Sequence, residues 1–420
     1  MFELFNNPIV ATIIKSAIVI FALLTAFAYM TLIERRVVAK IQGRIGPNRA
    51  GPFGVFQPIA DALKMAFKEQ IVPSQAKKVV YLISPIISVV VALCAFAVVP
   101  IGANWSLNQH QPSVWDPFIA DINVGLLWIL AISSLSVYGI VLGGWASGNR
   151  YSLLGALRSA AQMVSYETSL GLALAGVLMW AGTLSLVGIV YAQAQSVWFI
   201  LAQPLGFVIY LIAGVAEVNR APFDLPEAEQ ELTAGYLTEF SGLRWSLYQM
   251  AEYINMITVG SVASTLFLGG WSFFGLERFA PGLSILFYVI KVACFLFLFI
   301  WLRATLPRIR YDRLMRFGWE LLLPLAVLNA VITATVVALD WPWWVSGIAG
   351  LAVIVIVLAS VRRNEQKAGK RFSEASHKGK QVLPSSVRLV KFETETKEAV
   401  PAVSEEKSDK QAVKKQAVKA

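Results

Sequence analysis

At least eight runs of about 20 apolar residues recur along the chain, separated by short polar segments. That is the length a helix needs to cross ~30 Å of hydrocarbon. Inside a bilayer only helices and closed barrels satisfy every backbone N–H and C=O. With 57% hydrophobic and 15% charged residues among 420, the pattern predicts an all-α fold, a polytopic bundle of membrane helices, and excludes a soluble domain. The first run, Ile9 to Ile33, is too long for the apolar part of a cleavable leader. It is followed by "ERR" instead of small residues, so it reads as the first span.

Eight core spans and a ninth are drawn at about 9–33, 79–101, 122–146, 160–182, 196–217, 247–270, 283–304, 319–339 and 343–361. Loops 34–78, 147–159, 218–246 and 305–318 hold nearly all Lys and Arg of this body. The alternate loops, 102–121, 183–195, 271–282 and 340–342, hold only Arg278. By the positive-inside rule the N-terminus faces outside and the charged loops and tail face the cytoplasm. Residues 1–361 thus form the bundle. Residues 362–420, with 15 Lys/Arg against 8 Asp/Glu, form a polar tail expected to be disordered.

The chemistry that the chain can carry alone is narrow. Cys94 and Cys294 stand far apart in apolar runs, and neither belongs to a Cys-x-x-Cys; His110 and His377 lie in a loop and in the tail. No zinc, iron–sulfur or haem site is supported, so a redox centre of the chain's own is not expected.

The first charged loop, "GPNRAGPFGVFQPIADALKMAFKEQIVP", turns periodic after its Gly and Pro residues. Phe56, Ile59, Leu63 and Phe67 fall on one helical face, and Asp61, Lys64 and Lys68 on the other. About 12 residues cannot span a bilayer, so an interfacial amphipathic helix is predicted. It either seals the bundle or lines an opening for an amphipathic molecule.

Ionisable groups inside spans cost at least ~2.5 kcal/mol, which makes each a functional candidate. Glu167 lies early in the fourth span, Glu217 closes the fifth, and Glu252 lies early in the sixth. The alternation of loops puts all three in the leaflet nearest the charged loops. Between the fifth and sixth spans, "APFDLPEAEQELTAGYLTEF" sets Asp224, Glu227, Glu229 and Glu231 within eight positions. Crowded carboxylates raise one another's pKa and so suit proton exchange near neutrality. The competing reading is a solvated loop paired with Arg220 and Arg244. Lys291 reads as a proton site or half of a buried pair, Lys15 as a snorkelling side chain, and "WLRATLPRIRYDRLMRFGW" as a topology anchor or a docking surface for an acidic partner.

Five blocks, "LIERRVVAKIQGRIGPNRAGPFGVFQPIADALKMAFKE", "YSLLGALRSAAQMVSYE", "AEVNRAPFDLPEAEQELTAGYLTEF", "MAEYINM" and "WLRATLPRIRYDRLM", together resemble one family. It is the quinone-site membrane subunit of respiratory complex I, the bacterial NADH:quinone oxidoreductase. The resemblance covers about residues 10–330; nothing is carried over to the last span or the tail. It implies a bacterial inner-membrane location, other membrane and peripheral subunits as partners, quinone as substrate, and FMN and iron–sulfur clusters on other chains. Nucleic acid is not an expected partner. The resemblance makes Arg35, Arg36, Asp61 and Lys64 candidates for lining the quinone chamber, with Phe56 and Phe67 facing lipid or the isoprenoid tail. It makes Glu167, Glu217, Asp224, Glu227, Glu229, Glu231 and Glu252 candidates for a proton relay. A membrane-bound hydrogenase or ferredoxin-linked complex is the nearest alternative. A proton-coupled transporter is a more distant one, because no inverted repeat or midplane break is legible in the sequence.

Overall fold

The computed structural model describes residues 7–103, 116–224, 234–273, 275–276 and 281–377, and helices dominate throughout them. They are α1 (Pro8–Ile41), α2 (Gln57–Phe67), α3 (Lys78–Phe96), α4 (Gly125–Ala146), α5 (Arg150–Ala181), α6 (Leu186–Gln195), α7 (Phe199–Ala202), α8 (Pro204–Glu217), α9 (Leu243–Phe267), α10 (Pro281–Thr305), α11 (Tyr311–Arg316), α12 (Leu323–Ala338) and α13 (Trp343–His377). A π-helical segment, Phe317–Leu322, joins α11 to α12. Among the described residues seven helices are long and apolar enough to cross a membrane, and the chain is a polytopic helical membrane bundle. Each of the nine expected spans has a helical counterpart.

Local chemistry sets the boundaries. Asn7 caps α1 by accepting from Ile9 N–H at 3.1 Å, and Pro8 occupies the first turn, where no N–H is needed. Asn149 and Ser185 cap α5 and α6 in the same way. Gly182, at φ +65°, ends α5 in a left-handed conformation.

The two sets of alternating loops gather at opposite ends. At one, the charged end, Arg35 pairs with Asp61, Tyr81 Oη donates to the Glu239 carbonyl, and Ile309 N–H donates to the Pro222 carbonyl. At the other, Ile101 N–H meets the Pro117 carbonyl and Leu126 N–H the Leu184 carbonyl.

Helix α5 packs on α4, α8 and α12, and α9 packs on α3, α10 and α1. Small residues permit this closeness: a Cβ added to Gly144 of α4 would stand 2.3 Å from the Cβ of Ala156 of α5. α9 is buried at nearly every position from Tyr253 to Phe267, so it tolerates Ser, Thr and Gly that a lipid-facing helix would not need. It is for this reason absent from the seven most apolar helices.

Three features depart from expectation. The loop drawn at 183–195 contains α6. The last helix runs to His377, past the boundary placed at 361. The fifth span is broken at Gln203, near the end opposite the charged one. Pro204 lacks the N–H that would continue the ladder, and the exposed groups find partners elsewhere. Gln203 Nε2 donates to Thr333 Oγ1 at 2.7 Å, Asn329 Nδ2 donates to Gln203 Oε1 at 3.0 Å, and Ser346 Oγ donates to the Ala202 carbonyl at 2.9 Å.

Candidate functional site

The charged end holds an open cavity of about 440 Å³, walled by α1, α9, α10 and the loop after α1. Its polar lining includes Glu34, Arg35, Arg44, Gln249, Tyr253 and Arg303. Of the expected chamber residues, Arg35 lines this space. Asp61 sits at its rim, 2.7 Å from Arg35 Nη1, and takes a second bond from Gln57 Nε2 at 3.0 Å. The remaining four lie elsewhere. Arg36 is half-buried beside Gly46. Lys64, Phe56 and Phe67 are exposed on or beside α2, a helix with no buried residue.

Behind the cavity stands a group that the sequence did not reveal. Glu34, near the end of α1, is buried and accepts from Tyr253 Oη at 2.7 Å. It also pairs with Arg303 of α10 and, at 3.3 Å, with Arg220. Arg220 is itself buried, stacks over the Tyr253 ring at 4.2 Å, and its Nε lies 2.6 Å from Glu252 Oε1. The turn after α8 positions it, with Asn219 at φ +56°. Among the described residues Arg220 is therefore a bridge between two carboxylates. An isolated charge at this burial would be prohibitive; alternating signs along Arg303, Glu34, Arg220 and Glu252 make it tolerable.

From Glu252 the polar line continues into the bundle. Glu252, Asn219, Ser88 and Asn255 border a small cavity of about 30 Å³, and a second one of about 40 Å³ adjoins it. Glu217, Ser136 and Asn255 line both cavities. Ser133 borders one of these cavities together with Glu217, which lies within range of the Glu167 charge, and Ser134 Oγ donates to Glu167 Oε1. Glu167, Glu217 and Glu252 are thus brought to one polar line, as their depth in the sequence suggested.

The acidic loop divides differently. Asp224 is buried and pairs with Arg308 at 3.4 Å, beside the arginine run. Glu227, Glu229 and Glu231 lie outside the described residues. Lys291 spends its ammonium on the carbonyls of Leu268, Gly270 and Ser272 at 2.7–2.8 Å, beyond the end of α9. That is a cap for a helix terminus, in keeping with the macrodipole.

Neither Glu34 nor the bridging role of Arg220 stands out in the sequence, and for a common reason. Each stands at a span end, where a charge reads as a boundary marker. The signal available was the opposite sign of two such markers on the same side, Glu34 in "LIERR" and Arg220 in "AEVNR".

A family model described as NADH dehydrogenase matches residues 14–334. The chain is 51% identical over 354 residues to the NADH-quinone oxidoreductase H subunit of Deinococcus deserti, covering 83% of this chain and 90% of that one. It is 51% identical over 336 residues to NADH-quinone oxidoreductase subunit 8 of Thermus thermophilus, covering 80% and 89%. The H subunit of the Thermomicrobium roseum oxidoreductase is 53% identical over 323 residues, covering 75% and 92%.

Proposed function

The chain belongs to the NADH dehydrogenase family as a membrane subunit of NADH-quinone oxidoreductase, and on that premise we propose that its charged-end cavity receives the quinone and that the polar line behind it couples quinone chemistry to proton movement. The observation that supports this most is Glu34: it lines the cavity and, through Arg220, joins Glu252 and the inner carboxylates.

Quinone reduction takes up two electrons and two protons. Tyr253 faces the cavity and donates to Glu34; when its hydroxyl gives a proton to the quinone, the phenolate left behind adds negative charge beside Glu34 and Arg220. Arg220 is then drawn toward that charge and away from Glu252, the next carboxylate inward, which favours proton uptake there. Glu252 and Glu217 border one cavity with hydroxyl and amide walls, the setting in which an ordered water bridges groups too far apart to touch, and Glu217 lies within range of the Glu167 charge. Lining by both hydrophobic and charged groups suits a ligand with a polar ring and an apolar tail.

Two further assignments belong to this reading. The charged end faces the cytoplasm, on the strength of the Lys/Arg bias in its loops. The arginine run Arg308–Arg316 and the acidic loop anchor the peripheral arm, whose chains carry the electron-transfer groups. Asp224–Arg308 ties the two together within the subunit. Glu227, Glu229 and Glu231 keep their relay role as a proposal from sequence.

A photoreactive quinone analogue applied to the intact complex tests the reading. Label within residues 34–70, displaced by excess quinone, is the expected result. Label confined to another subunit overturns the cavity assignment, and hydrogen-dependent activity without quinone would favour the hydrogenase alternative.

A further inference from the structure

One carboxylate belongs to no part of the polar line. Glu320 sits in the π-helical segment between α11 and α12, is exposed, and among the described residues makes no hydrogen bond or ion pair. Its level in the bundle is fixed by rungs between two parallel helices. The Arg158 guanidinium lies 5.0 Å from the Tyr311 ring, and Trp319 Nε1 donates to Ser165 Oγ at 3.3 Å. Glu320 is nine positions beyond Tyr311, ~13 Å further along the helix, and so stands close to the level of Glu167.

Its face is equally well defined. Glu320, Pro324, Val327, Val331 and Thr335 recur at helical spacing, and all are exposed. Glu320 therefore heads the outward stripe of the eighth span, while Leu322, Ala326, Asn329 and Thr333 face the bundle. Arg316, one turn nearer the charged end, is exposed too and makes no pair with it. A carboxylate directed at hydrocarbon is costly, and such groups in membrane proteins meet a partner charge or water. The π segment holds Trp319, itself exposed, with its Nε1 on Ser165 and leaves Glu320 outward, a local distortion often kept for a functional contact.

We propose that this stripe is a docking surface for a membrane helix of a neighbouring subunit, and that Glu320 receives a Lys or Arg side chain from it. The inference rests on membership of a multisubunit oxidoreductase, not on the quinone or relay assignments. A helix is required because only that form brings a side chain to this depth with its backbone satisfied. A basic residue is required because the carboxylate offers only acceptors and the surrounding stripe is nearly apolar.

The test uses the intact complex in its native membrane. A photocrosslinking residue at Val327 is expected to label a membrane subunit at a helix bearing Lys or Arg within two turns. Adducts with lipid alone, or with a helix lacking a basic residue, overturn the proposal. Glu320→Leu separates the readings further. A stripe facing lipid would accept leucine with full assembly, which overturns the proposal. A stranded cation on the partner is expected to reduce intact complex on native gels by tenfold or more, whereas Glu320→Asp retains it. Glu320→Lys combined with reversal of the partner's basic residue to Glu is expected to restore assembly, and failure of that rescue also overturns it. Quinone reductase activity per assembled complex is expected to stay unchanged in all of these variants.

Discussion

The two halves of the polar line are held together by different forces. Near the cavity, the buried Glu34 and Arg220 and the half-buried Arg303 and Glu252 are joined by ion pairs. Deeper in, Glu217 and Glu167 meet serine hydroxyls across cavities and face no cation among their described contacts. Opposite charges fix each other's ionisation, so the outer half resists gaining or losing a proton. Hydroxyls donate to a carboxylate or accept from a carboxylic acid, so the inner half tolerates both states. On the proposed reading the outer half serves as an electrostatic latch, and the inner half as a conduit.

Removing the centre of the latch breaks this contrast most severely. Arg220→Met leaves Glu34 and Glu252 buried without their shared cation, a loss of about 3–5 kcal/mol. Both assembly on native gels and quinone reductase turnover are expected to collapse. Glu217→Gln comes next: a conduit needs a titrating group there, so proton pumping is expected to fall about a hundredfold, with assembly intact, when followed by a pH-sensitive dye in vesicles. Wild-type pumping would place the conduit elsewhere. Replacing Ser133 and Ser134 together by Ala removes the charge-assisted bond to Glu167, about 1.5–3 kcal/mol, and a hydroxyl that borders the Glu217 cavity. Pumping is expected to slow several-fold while the thermal midpoint of the complex hardly moves. The smallest effect is expected at the rim. The Arg35–Asp61 pair is substantially exposed and contributes about 0–1 kcal/mol, so Asp61→Asn should raise KM for quinone modestly, leave kcat unchanged, and lose its effect at high salt.

The fold was legible to the extent that lipid dictates sequence. Runs facing hydrocarbon announce themselves, and α1, α3, α4, α10 and α12 matched the spans drawn from them. The break at Gln203 did not announce itself. A proline near the end of an apolar run reads as a boundary, and the partners that compensate for it, Asn329, Thr333 and Ser346, lie more than 120 positions away. In the site, Glu167, Glu217 and Glu252 were legible because a charge within a span stands out. Glu34 and Arg220 were not, because charges at span ends are ordinary and only packing shows that these two are enclosed. α2 shows the opposite limit. Its periodicity correctly predicted a short amphipathic helix, yet periodicity cannot say which polar residues turn toward a cavity, and of its polar face Asp61 alone reaches the rim.

Helix α9 carries Glu252 and Tyr253 and is sheathed by other helices along most of its length. A segment so rich in hydroxyl and small residues has little reason to leave the translocation channel for lipid on its own. It is expected to hold its place in the membrane through packing on its neighbours more than through its own affinity for lipid.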